Sequence, residues 1–149
     1  MKKIIFMFLI VFSIHLYSQE ASFIDDLSTK KNATFSDCVK MFCFMYNVEV
    51  TDEFSQNVKN LSKFVKYFPK GYSANKKLTV GNFSLFAVQY LKINGGLFYL
   101  ATKSGRYATR ELIFRDILLF NTSEYEEISG VDLIRFIHKV VDYEEKHKN

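Results

Sequence analysis

Thr34-Phe35-Ser36-Asp37-Cys38, Thr79-Val80-Gly81-Asn82-Phe83 and Ser129-Gly130-Val131-Asp132-Leu133 are one pattern written three times. Each opens on a hydroxyl residue, places Asp or Asn three positions later and then enters an apolar run. That is the signature of a helix start. The hydroxyl accepts from an orphan backbone N–H, and the short polar side chain answers back as a partial capping box. Thr34, Thr79 and Ser129 are therefore predicted helix caps. Their spacings of 45 and 50 residues mark a repeat of supersecondary units.

Working outward, apolar residues at helical spacing follow each cap. The first helix is predicted over 34–48, with Cys38, Met41, Phe42, Met45 and Tyr46 as its stripe. A second, over 53–68, ends at Pro69 and Gly71. The third covers 79–93, ended by Asn94-Gly95-Gly96; the fourth covers 106–118 and the fifth 129–143. Leu97-Phe98-Tyr99-Leu100 reads as too short for a helix, hence as a strand fragment or extended plug. Offset by 50 residues, Val58 matches Ala108, Phe68 matches Leu118 and Leu78 matches Ile128. The expected architecture is all-α, with about five main helices in helix–loop–capped-helix repeats behind an N-terminal signal peptide.

The N-terminus carries that signal. Lys2 and Lys3 form a charged start, Ile4 to Ile14 is apolar except for Ser13, and Ser18 offers a small residue before Gln19. An apolar run of about 11 residues is short of the roughly 20 that cross a bilayer, so no stable membrane span is expected after cleavage; an uncleaved signal anchor is the competing reading. The organisation is then a signal peptide over 1–18, a lead-in segment over 19–33 and one helical domain over 34–149. Phe23, Ile24 and Leu27 of the lead-in fit one helical turn docked on the body. The expected location is the periplasm or cell envelope.

The mature chain of about 131 residues suits a single core. Without Lys2 and Lys3 the formal charge falls from +4 to +2, and no basic stripe with interleaved aromatics suggests nucleic acid. Lys59, Lys63, Lys66 and Lys70 read as a solvated helix face. Cys38 and Cys43 point about 140° apart on one helix and cannot easily bridge. They read as small buried hydrophobes, with Cys43 one place off the stripe.

The helix–loop–capped-helix unit resembles the S-layer homology repeat of bacterial envelope proteins, whose second helix opens on Thr-Arg-Ala-Glu-Phe. Leu78 to Phe83 and Ile128 to Leu133 occupy that place, Ala33 to Cys38 is a third copy, and Arg106-Tyr107-Ala108-Thr109-Arg110-Glu111-Leu112 is similar to the family's first-helix start. The resemblance spans about residues 33–143 and implies an envelope module that holds an anionic cell-wall glycan. The motif's arginine is replaced here by Phe35, Val80 and Gly130, and Tyr107 stands where the family often has Trp.

Chemistry is sparse. No Ser or Cys is set by motif near His138 or His147, so no catalytic residue is named and no cofactor is expected. Glu124, Glu126, Glu127 and Asp132 match no Ca²⁺ loop spacing and read as a solvated acidic loop with a capping Asp132; no metal site is named. Arg106 and Arg110 share a helix face beside Tyr107, a candidate site for a carboxylate or phosphate. The expected role is an exported, non-enzymatic structural or protein-interaction module whose partner is an unknown envelope protein or cell-wall polymer. Glycan binding is the alternative, and a small envelope hydrolase ranks last.

Overall fold

The structure is a computed structural model that describes residues 20–147. It is all-helical: α1 (20–29), α2 (Phe35–Met45), α3 (Phe54–Leu61), α4 (Val80–Tyr90), α5 (Leu97–Thr102), α6 (Gly105–Phe114) and α7 (Gly130–His147). The predicted signal peptide lies outside the described residues.

Three helices begin at a common point because their caps work as the residue types dictate. Thr34 accepts from the Asp37 amide, and Asp37 answers to the Thr34 amide at 2.8 Å, a complete capping box. Thr79 accepts from the Asn82 amide at 3.4 Å, and Ser129 from the Asp132 amide at 3.1 Å. Just upstream of each cap the backbones join in a ring. Ala33 donates to the Ile128 carbonyl (2.8 Å), Leu78 to Ala33 (2.8 Å) and Ile128 to Leu78 (3.1 Å). The ring closes a pseudo-threefold arrangement of α2, α4 and α7.

The next amides of each helix are met by a neighbouring segment. Phe35 and Ser36 donate to the Lys76 and Ala74 carbonyls, Val80 and Gly81 to those of Glu126 and Glu124, and Gly130 to that of Lys30. The last contact shows what the lead-in does. It forms the three-turn helix α1, longer than the single turn expected, and its buried Leu27 and C-terminal carbonyls seat the start of α7. A Cβ at Gly130 would lie 1.7 Å from the Leu27 oxygen, so only glycine fits there.

Equivalent positions fill one core. Cys38, Phe83 and Leu133 are fully buried, and Phe42, Ala87 and Ile137 are buried one turn later. Phe42 packs on Phe83 and Phe86, and Phe83 on Phe136, with ring centres 5.5–6.0 Å apart, as aromatic pairs prefer. Helix ends repeat too. Asn47 and Lys92 both adopt left-handed φ, with Val48 and Ile93 donating back to Cys43 and Val88, a Schellman closure. The third predicted helix therefore ends at Tyr90, closed by Lys92, before the Gly pair.

The fourth predicted helix ends at Phe114 rather than at 118, and two predicted elements differ more. The second helix stops at Leu61 because side-chain amides hold the surrounding loops. Gln89 accepts from the Lys66 and Tyr67 amides and donates to the Tyr67 carbonyl, while buried Asn57 and Asn60 bond the backbones of Thr51 and Glu49. Residues 97–100, expected to be extended, form helix α5. Its start is fixed by Glu111, which accepts from the Gly96 amide at 2.6 Å, and buried Tyr99 anchors it.

Candidate functional site

The candidate residues Arg106, Tyr107 and Arg110 lie on α6, which is held hard against α4. A Cβ on Gly105 would meet the Gly81 carbonyl oxygen at 2.6 Å, and Thr109 Oγ1 lies 3.2 Å from Ser84 Oγ within the buried seam. Small residues at Gly81, Ser84, Gly105 and Ala108 let the two backbones approach. α5 folds back along α6, since Gly96 at its start meets Glu111 while Phe98 meets Tyr107.

That return builds a ladder at the surface, with Phe98 and Arg110 exposed and Tyr107 half-buried. The Phe98 and Tyr107 rings stack at 5.5 Å and 14°, and the Arg110 guanidinium sits 5.7 Å from the Tyr107 ring centre. Tyr107, Arg110 and Phe114 follow one stripe of α6, at i, i+3 and i+7. Arg106 turns the other way, to Glu124 at 3.8 Å. So Tyr107 and Arg110 come together, and Arg106 belongs to a neighbouring contact with the acidic loop.

Beside the ladder, Lys103 ends α5 in left-handed conformation and lays its ammonium over two rings, Tyr99 at 4.7 Å and Tyr67 at 5.5 Å. Burial pushes the Tyr99 phenol up to about 12, aided by the nearby Tyr67 and Glu111. On the other side of α4, Tyr90 donates to Glu144 at 2.7 Å and packs edge-on against Tyr46. Burial, and then the Glu144 charge, raise the Tyr46 phenol to about 12.

The capped starts of α2 and α4 offer no anion cradle. At α2 and α4 the first amides are already bonded by neighbouring carbonyls and by the cap hydroxyls. The first helical residues after the caps are all enclosed: Phe35 and Val80 are fully buried, and Gly130 abuts Leu27. No side chain there reaches solvent. Asp37 is enclosed as well and pairs with Lys30 at 2.8 Å. Burial opposes the Lys30 charge, but hydrogen bonds and charges from Asp37 and Asp26 outweigh it and leave its pKa raised.

Asp132 serves the Ser129 cap, and Glu127 pairs with Lys77 at 2.7 Å. Among the described residues no group of three or more His, Cys, Asp or Glu is placed to hold a metal. His138 is exposed and lies 3.1 Å from Asp142. An open cleft of about 450 Å³ between the end of α6 and α7 is lined by Arg115, Asp116, Lys139, Asp142 and Lys146 among others. Its cations sit beside the carbonyl end of α6, which they complement. Cys38 and Cys43 are both buried and unbridged, and Cys43 is as fully enclosed as Cys38.

Sequence reasoning missed the α5 contribution to this site. Phe98 was assigned to an extended segment, although the Gly-Gly start and the Leu-Phe-Tyr-Leu-Ala run carry a helix once Glu111 closes its first turn. No helix among the described residues is long and apolar enough to cross a membrane. No family model matches the chain, and neither the curated proteins nor the solved structures contain a significant match to it.

Proposed function

We propose that the chain is an exported, non-enzymatic module of the cell envelope that serves as a structural or protein-interaction unit. Its helix–loop–capped-helix units are read as degenerate relatives of S-layer homology repeats. The observation that carries the interaction reading is the surface Phe98–Tyr107–Arg110 ladder, whose outer rungs Phe98 and Arg110 are exposed. Aromatic rings and arginine dominate the energetics of protein interfaces, and rings pre-ordered by stacking lose little entropy on binding. The export reading rests on Lys2, Lys3 and the apolar run that follows.

A pull-down of the mature chain from its own envelope fraction tests this. A partner captured by the wild type and lost with Arg110→Ala supports it; an identical set of captured proteins from both chains contradicts it. The second reading, retention of an anionic cell-wall glycan, is favoured by Arg110, which makes a ring contact but has no carboxylate partner among the described residues. Co-sedimentation with purified cell-wall polymer separates the two. Saturable binding that survives moderate salt and is lost with Arg110→Ala supports the glycan.

A further inference from the structure

Between Phe54 and Arg110 the chain contains eight lysines and two arginines and no Asp or Glu. Every acidic residue lies in the flanking segments, so a chain of small net charge carries one strongly cationic sector. The fold does not neutralise it. Lys77 and Arg106 reach Glu127 and Glu124, but Lys59, Lys63, Lys66, Lys70 and Lys92 enter no ion pair among the described residues. All five are exposed.

This sector also leaves apolar side chains outside, although Phe114, Leu119, Phe120 and Tyr125 are exposed beyond it. Leu97 is 77% exposed, Phe98 66% and Leu100 48%. Contacts make the two features one surface. Gln89 fixes the backbone of Lys66 and Tyr67 to α4, and the Tyr67 ring lies under Lys103 at the end of α5, the helix that carries the leucines.

We propose that this surface docks on the headgroups of an anionic lipid bilayer. Lys63, Lys66 and Lys70 meet lipid charge, and Leu97 and Leu100 enter the boundary between headgroups and acyl chains. Lysines are drawn to an anionic leaflet, and Leu97 and Leu100, three residues apart on α5, add buried apolar area. Two features favour lipid over another polyanion. The cations are mostly lysines, flexible point charges suited to a diffuse anionic surface, where bidentate recognition would call for arginine. And a nucleic acid or acidic polymer gains little from two exposed leucines. The proposal stands beside the protein-interaction reading and is tested at different residues, so the Arg110→Ala pull-down and the lipid test fail independently.

The test is flotation of the purified chain with phosphatidylcholine vesicles, with and without a third phosphatidylglycerol. The chain is compared with K63E/K66E/K70E and with L97S/L100S. All five residues are exposed, so circular dichroism and the melting midpoint should stay those of the wild type. Each variant carries the same N-terminal residues, and differences between variants therefore report the patch alone. The expected result is at least a tenfold preference of the wild type for anionic vesicles. The lysine variant should lose that preference, and L97S/L100S should bind several-fold more weakly at moderate salt. Equal flotation of wild type and lysine variant overturns the proposal. So does unchanged binding of L97S/L100S together with equally tight binding of an oligonucleotide, which would mark a general polyanion surface.

Discussion

The Ala33 amide donates to the Ile128 carbonyl across 2.8 Å, joining segments 95 residues apart in the chain. Leu78 completes the triangle by donating to Ala33 and accepting from Ile128. All three side chains are buried, so these hydrogen bonds lie away from water, where an unmade one is expensive. The starts of α2, α4 and α7 are thereby held together by backbone alone, and the capping side chains act on top of that frame.

The caps differ in quality and should differ in energy. Thr34 takes part in a full box with an enclosed Asp37, Ser129 accepts at 3.1 Å and Thr79 only at 3.4 Å. Alanine at each position should destabilise by about 0.5–2 kcal/mol, in the order Thr34, Ser129, Thr79. Urea titrations of the three variants check this. No change at Thr34 would contradict the box.

Gly130→Ala should be more severe than any cap change. The added methyl has no room beside the Leu27 oxygen, and α1 must shift for α7 to start. A loss of about 3 kcal/mol is expected, at the upper end for overpacking, read as a lowered urea midpoint. A neutral result would mean that α1 does not dock on α7.

Both thiols should resist a labelling reagent in the native protein and react fully once it is denatured. Burial raises the Cys38 thiol well above its usual value, with the Asp37 charge adding to this, and burial holds Cys43 at about 11. The reactive thiolate is therefore scarce as well as enclosed. Labelling of either residue at the rate of a free thiol contradicts the packing.

Stability should fall steeply on the alkaline side. Tyr46 and Tyr99 have folded pKa values near 12 against an ordinary 10.0, and that of Lys30 is raised above 10.5. In each case the folded state holds its proton more tightly than the unfolded chain. The contribution is complete below the unfolded value and is lost as pH rises through the folded one. Chemical denaturation between pH 9 and pH 12 should show the decline, and Tyr46→Phe with Tyr99→Phe should flatten it. An unchanged slope in the double variant contradicts the buried phenols.

The helix starts at Thr34, Thr79 and Ser129 were legible because caps have a side-chain code. The ring that unites them was not, because backbone hydrogen bonds between distant segments leave no residue signature. Leu97 to Leu100 reads as extended since four apolar residues cannot nucleate a helix alone; Glu111, fourteen residues beyond Leu97, supplies what is missing. Asn57, Asn60 and Gln89 hold loop backbones, a role without periodicity. Of the candidate site, the pairing of Tyr107 with Arg110 follows from i, i+3 spacing. The turn of Arg106 toward Glu124 depends on where the loop after α6 returns, which no local pattern encodes.

Native-state amide hydrogen exchange tests the threefold frame most directly. If the ring of Ala33, Leu78 and Ile128 is the frame, their three amides should exchange only through global unfolding, with the same free energy as buried amides in α4 and the same dependence on denaturant. Exchange of any one of them at the rate of an exposed loop amide, while α4 stays protected, would contradict it.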